Sequence, residues 1–255
     1  MTEPLLQSEV VLITGCSSDL GLALARRLLT PRSDQARDLT VIAHSFSGGA
    51  RIQALQAAFG DKVYPVQADF SDPASVSAMA DEIAAKFQFP TQIVHLPALR
   101  LKYERLTKFS LDHFRRDMTI QLESIVILLQ RFAAKMSKSE AARLVFVTSS
   151  VTHGMPPRFM SMYTVIKYAQ LGLMRAAAAE YSSTKLTINA VSPSMIETQF
   201  VEEIGDVAVR SAAAANPQGR NATPEDVIGA IEFLLSPAAG YMTGVDLPVT
   251  AGSSC

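Results

Sequence analysis

Val10-Val11-Leu12-Ile13-Thr14-Gly15-Cys16-Ser17-Ser18-Asp19-Leu20-Gly21 is the stretch that decides the fold. It opens on an apolar, β-branched run that ends at Thr14-Gly15, the pattern of a strand buried on both faces. Leu20, Leu22, Ala23, Leu24, Ala25, Leu28 and Leu29 then supply a broad apolar stripe at helical spacing, and Pro31 stops it. In open α/β sheets ligands bind beyond the carboxyl ends of the strands, and the first strand-to-helix turn sets phosphates against a helix N-terminus. Gly15 permits the sharp turn and Gly21 the close approach of helix to strand; Ser17 and Ser18 offer hydroxyls to a phosphate, and Leu20 lies in the same turn. A plain turn with two glycines, capped by Ser18 or Asp19, accounts for the same residues. A carboxylate at Asp19 costs Coulomb energy beside a pyrophosphate, whereas at an N-cap it accepts orphan N–H groups and suits the helix dipole. The cap is the preferred reading of Asp19.

Outward from this unit the alternation recurs. Strands are expected at Leu39 to Ala43, Val63 to Val66, Gln92 to Leu96, Leu144 to Thr148, Leu186 to Val191 and near Val245 to Val249. Helices are expected around Ala50 to Phe59, Ala74 to Phe87, Ser110 to Met136, Ser161 to Tyr181 and Glu225 to Leu235. Right-handed crossovers place each helix over the sheet, so the expected fold is α/β: a single Rossmann-like, doubly wound parallel sheet of about seven strands with helices on both faces. No composition break or repeat marks a linker, and residues 1–255 read as one dinucleotide-binding and catalytic domain. Ile196 to Thr223 is the least regular stretch, which in a compact domain reads as a lid or substrate-binding loop.

Nearly half of the 255 residues are hydrophobic, enough for a substantial core, and 23 basic against 24 acidic residues leave a net charge of −1. Without a block of like charge there is no nucleic-acid footprint and no polybasic membrane patch, so the expected partners are small molecules or other proteins. Cys16 and Cys255 stand at opposite ends of a sequence whose start, Met1 to Ser8, has no basic region before the short apolar run Val10 to Ile13. A disulfide framework and a membrane span are not expected, and a soluble, cytoplasmic protein is.

The strand Leu144 to Thr148 delivers Ser149 and Ser150 to the sheet edge that also carries the glycine turn. Tyr163 and Lys167 follow on a helix, one turn apart and therefore on one face. A phenol with a pKa of ~10 is a poor acid or base near neutrality, and a neighbouring ammonium lowers that value toward working pH. Ser150 can hold a substrate oxygen and orient a carbonyl toward hydride and proton donors together. A Tyr and a Lys at this spacing also recur as surface residues; context separates the two readings. There is no Walker phosphate loop, no Gly-x-Ser-x-Gly elbow, and no clustering of His44, His95, His113 and His153 into metal-ligand spacing, so no metal site is expected.

Taken in order, these segments resemble the short-chain dehydrogenase/reductase family from Val10 to Gly252. Thr14-Gly15 through Gly21 looks like its cofactor turn, and Asp69 after the third strand, with Phe70 beside it, like its adenine contact. Ser150 and Tyr163-x-x-x-Lys167 look like its catalytic residues. Asn189 to Pro193 with Ile196 and Thr198 is similar to the segment framing the nicotinamide, and Met242-Thr243-Gly244 to the turn into the last strand. The resemblance implies carbonyl reduction, with Tyr163 as general acid, Ser150 on the substrate oxygen, Lys167 lowering the tyrosine pKa and holding the nicotinamide ribose, and the cofactor supplying hydride. It also implies a homodimer or homotetramer built on the Ser110 to Met136 and Ser161 to Tyr181 helices.

The sequence departs from the family at Asp19, in place of a glycine, and at His95-Leu96-Pro97-Ala98, where Asn-Asn-Ala-Gly is usual and Pro97 would meet the cofactor. Gln121 stands in place of an active-site asparagine that organises a water-mediated proton relay, and Ser194 in place of a glycine. After the second strand, Ala43-His44-Ser45-Phe46-Ser47 carries no acid for a ribose 2′-hydroxyl; His44, Ser45, Ser47 and Arg51 can accommodate a 2′-phosphate, which favours NADP(H) over NAD(H). His44 and Arg51 as solvated surface residues are the alternative. Met155, Phe159, Met160, Met162, Met195 and Phe200 suit an adaptable apolar pocket for a hydrophobic or acyl-type ketone, or a subunit interface. Arg158 can meet an anionic substrate or stay solvated. An enoyl reductase and a non-catalytic partner protein with a degraded cofactor site remain as rival functions.

Overall fold

The computed structural model describes residues 9–30 and 38–253. Pro31, the expected stop of the first helix, Cys255 and the segment Met1 to Ser8 lie outside the described residues.

Among the described residues seven strands, β1 (Glu9–Thr14), β2 (Leu39–Ser45), β3 (Val63–Gln67), β4 (Gln92–His95), β5 (Arg143–Val147), β6 (Thr187–Pro193) and β7 (Asp246–Val249), form one sheet. Its order is β3-β2-β1-β4-β5-β6-β7 and every neighbouring pair is parallel. The order reverses between β1 and β4, so the carboxyl ends of these two strands diverge into a crevice. Along β1 the side chains alternate between two cores. Val11 and Ile13 pack with Leu24, Leu55 and Ile231 on one face; Leu12 packs with Ile83, Leu128 and Phe132 on the other. Burial on both faces is why β1 reads as an unbroken apolar run instead of an alternating one.

The helices are α1 (Asp19–Leu29), α2 (Ala50–Phe59), α3 (Pro73–Phe87), α4 (Leu111–Met118), α5 (Ser124–Met136), α6 (Ser161–Glu180), α7 (Asp206–Ala215) and α8 (Pro224–Leu235). The expected long helix from Ser110 to Met136 begins at its cap, Ser110, whose hydroxyl accepts from the His113 N–H, but a π turn at Thr119–Glu123 divides it. The expected irregular stretch Ile196 to Thr223 is a correction. It holds a 3-10 segment at Gln199–Ile204 and then α7, because the Ala212 to Ala215 run has the highest helix propensity yet carries no apolar periodicity to announce it. No helix of the described residues is long and apolar enough to cross a membrane.

Candidate active site

The turn after β1 is held from within. Gly15 adopts φ +70°, and a Cβ on Gly21 would lie 2.7 Å from the Cys16 Cα, so α1 packs against the turn at a distance only glycine allows. Ser18 is the N-cap of α1: its hydroxyl accepts from the Gly21 N–H at 3.1 Å and donates to the Gly15 carbonyl at 2.8 Å. Asp19 is therefore not the cap. It sits in the first turn of α1, one oxygen paired with the Arg51 guanidinium and the other accepting from the Gln199 N–H at 3.0 Å. Burial raises its carboxyl, but the bonds from Arg51 and Gln199 outweigh this and hold it below the usual range.

His44 is neither a surface residue nor a cation. Its Nδ1 accepts from the Gly15 N–H at 3.0 Å, its Nε2 donates to the Ala68 carbonyl at 3.1 Å, and its ring stacks on Phe70 at 4.0 Å. Burial pushes its pKa down to about 4, so it braces the glycine turn as a neutral ring, with no positive charge to offer a phosphate. Ser45 is likewise turned inward, its hydroxyl accepting from the Gly48 N–H at 2.9 Å. Asp69 accepts from the hydroxyl and N–H of Ser71 at 2.7 and 2.8 Å, and the Ser71 hydroxyl contributes most to holding its carboxyl below the usual range.

At the end of β4, His95 is fully buried. Its Nε2 donates to the Gln121 carbonyl at 3.0 Å and its Nδ1 accepts from the Thr14 hydroxyl at 3.0 Å, tying β1, β4 and the π turn together. Burial drives its pKa down to about 3. Gln121 turns its side chain away from the crevice, donating to Asp117 at 2.8 Å. Its carbonyl, not its amide, meets the lysine's network: Lys167 Nζ donates to the Val147 carbonyl at 3.0 Å and to Gln170 Oε1 at 2.9 Å, and Gln170 Nε2 donates to the Gln121 carbonyl at 2.9 Å. Gln170, which sequence reasoning missed, bridges the two directly. Its position three residues after Lys167, on the same helix face, was the available signal.

Tyr163, Lys167 and Ser150 converge on one crevice of about 1220 Å³, which also takes in Gly15, Ser17, Leu20, Asp69, Phe70 and Pro97. Pro193, Ile196 and Thr198 line its other wall. Lys167 Nζ lies 5.6 Å from the centre of the Tyr163 ring, so the two do share a helix face. The expected lowering of the phenol is absent. Burial pushes Tyr163 up to about 12 against the opposing hydrogen bond of the Ser149 hydroxyl, and burial lowers Lys167 to about 8. For both groups the loss of water is the largest influence, and for the phenol it outweighs the Ser149 hydrogen bond. Ser149, which the sequence places at this edge beside Ser150 without a role, thus also meets the phenol.

The far wall is the segment Gln199–Ile204, latched to the strand β4 exit by the Leu101 N–H to Phe200 carbonyl bond at 3.0 Å and by Arg100–Glu202 and Lys102–Glu203 pairs at 3.0 and 3.6 Å. Behind it Leu101, Tyr103, Met160, Tyr163, Met195 and Phe200 pack into a small apolar cluster. Of the other expected pocket residues, Phe159 and Arg158 line the crevice, Met162 does not, and Met155 is 94% exposed. Asn189 is structural: it bonds the Met242 carbonyl and the Val245 N–H, closing the turn into β7. No group of three metal-ligating side chains exists among the described residues.

A family model described as "Enoyl-(Acyl carrier protein) reductase" matches residues 18–254. The chain is 30% identical to the cis-4-hydroxycyclohexanecarboxylate dehydrogenase of Sinomonas cyclohexanicum, covering 95% of each, and 28% identical to the (3R)-3-hydroxyacyl-CoA dehydrogenase of Canis lupus familiaris, covering 99% of each. Among solved structures it is similar to a Serratia marcescens short-chain dehydrogenase/reductase double mutant, with a TM-score of 0.85 at 25% identity over 98% of this chain and 99% of that one. The chain belongs to the short-chain dehydrogenase/reductase family and is an oxidoreductase of it, so the reading as a non-catalytic partner protein gives way.

Proposed function

We propose that the protein is an NADP(H)-dependent reductase of an apolar or acyl-type ketone. The observation that carries this is the convergence of Tyr163, Ser150 and Lys167 with the glycine turn on one crevice at the β1/β4 reversal. Its walls fit a dinucleotide: Gly15 and Ser17 lie where a pyrophosphate meets α1, and Lys167, buried with two of its three N–H bonds committed, keeps one for a ribose hydroxyl. Asp69 and Phe70 stand at the adenine end, Ile196 and Thr198 at the nicotinamide end, and Pro97 between them. The bound nicotinamide supplies hydride. The chain's own residues handle the oxygen and its proton. Ser150, with Ser149 beside it, holds the carbonyl oxygen, and Tyr163 donates the proton. A phenol raised to about 12 is fully protonated near neutrality, which suits a donor in reduction better than a base in oxidation. Gln121 acts through its carbonyl, anchoring Gln170 and hence Lys167.

The absence of an acid after β2, together with Arg51 in the crevice, supports NADP(H) over NAD(H). The apolar cluster around Phe200 supports a hydrophobic substrate, and residues 196–223 serve as its binding segment. Exposed Val165 and Tyr168 on α6 support pairing of two copies there, in a cytoplasmic homodimer or homotetramer. Reduction of an enoyl double bond is a second reading, favoured by the description of the matched family model.

Calorimetric titration with NADPH and NADH, followed by a panel of ketones and enoyl thioesters, tests the proposal. NADPH is expected to bind more tightly and ketones to turn over; Tyr163→Phe should abolish turnover and leave cofactor affinity unchanged. Absence of binding to either nucleotide, or full activity of Tyr163→Phe, overturns it.

A further inference from the structure

We propose that Asp19 determines cofactor affinity and selectivity as a built-in anion, holding the Arg51 guanidinium and the Gln199 N–H that a dinucleotide's phosphates must otherwise engage. The inference rests on the reading of the crevice as a dinucleotide site. Asp19 stands in the first turn of α1, where the helix N-terminus attracts negative charge. Its two oxygens reach opposite walls: one pairs with Arg51 at the start of α2, the other accepts from Gln199, which is 180 residues distant in sequence. All three residues line the crevice. The carboxylate thus spans the opening at the level of the glycine turn and fills an anion's position with protein.

Two consequences follow from charge alone. A pyrophosphate approaching α1 meets a fixed negative charge, which weakens any dinucleotide. Arg51, placed just beyond β2 where a ribose 2′-phosphate is read, is already neutralised. The pair is nonetheless exchangeable, because the Arg51 and Asp19 side chains are 42% and 25% exposed and a solvated ion pair is weak. A 2′-phosphate can draw Arg51 away from Asp19; NAD(H) has no group that does so. Two anions, Asp19 and a 2′-phosphate, thus compete for one guanidinium, and Asp19 lowers the preference for NADP(H) that Arg51 confers.

Asp19→Asn keeps the shape and an acceptor for Gln199 but removes the charge. We expect it to tighten NADPH binding about tenfold and NADH binding only about threefold, the scale of one unit charge in a solvent-lined crevice. Adding Arg51→Gln to Asp19→Asn should bring NADPH back to the affinity of NADH. As a readout independent of nucleotide, Asp19→Gly should lose hydrogen-exchange protection at the Gln199 amide. Equal or weaker NADPH binding by Asp19→Asn overturns the inference and leaves the cofactor reading standing, while no binding by either protein overturns both. Should Asp19→Asn fail to fold, Arg51→Gln alone reads the same contact. The unpaired carboxylate then faces the crevice, NADPH weakens at least tenfold and NADH about threefold, and an equal loss for both overturns the inference.

Discussion

Lys167 and Tyr163 show how burial and charge compete at single residues. The ammonium lies over the phenol ring, yet both groups are moved toward their neutral forms because water has been removed from around them. Lys167, lowered to about 8, loses its proton within an accessible range, and with it the charge that supports a developing phenolate. Ketone reduction is therefore expected to fall as pH rises through about 8. Gln170 is the side-chain acceptor on that ammonium, and an acceptor favours the charged form. Gln170→Leu should move the falling limb of the kcat–pH profile to lower pH; an unmoved limb would assign Gln170 a purely structural place. Ser150, Tyr163 and Lys167 were legible as candidates from their spacing taken together with the ordered family resemblance. Their proton affinities were not, because desolvation is a property of everything packed around them.

Elements position these residues through a few close contacts. Gly21 lets α1 lie against the turn, and a Cβ there would come within 2.8 Å of the Cys16 and Gly15 carbonyl oxygens. Gly21→Ala is expected to cost about 1–3 kcal/mol by overpacking, seen as a lower Tm, and to weaken nucleotide binding as the turn shifts. The segment Gln199–Ile204 is held differently, by exposed ion pairs that are individually weak. Replacing Glu202 and Glu203 with Gln should raise KM about two- to threefold with little change in Tm, and added salt should reproduce the rise in the unaltered protein. Strands such as β1 and β5 were legible because burial on both faces leaves an apolar run. The π turn at Gln121 and helix α7 were not: nothing in local periodicity separates a π turn from an α-helix, and an alanine run has no face.

At the scale of the whole molecule, two buried neutral histidines tie the carboxyl edge of the sheet together, His44 across β1, β2 and β3 and His95 across β1, β4 and the π turn. Their folded pKa values, about 4 and about 3, lie below the 6.5 of the unfolded chain. Between these values the unfolded state binds protons that the folded state refuses, so stability falls as pH drops below about 6.5 and continues to fall toward 3. Denaturation curves from pH 7.5 to 4.5 should show this loss, and His95→Gln should flatten part of it, even if the variant is less stable at neutral pH.

The sequence by itself determined the alternation of strands and helices and the parallel sheet, which follow from periodicity along one chain, and it offered the candidates Gly15, Ser150, Tyr163 and Lys167 through the order in which its motifs resemble one family. Only the tertiary structure decided that Ser18 caps α1, that Asp19 reaches Arg51 and Gln199, that His44 and His95 are neutral braces and that Gln170 joins Lys167 to Gln121. Each of these depends on which groups meet across the sheet and how much water leaves with them, and neither quantity is carried by residues adjacent in sequence.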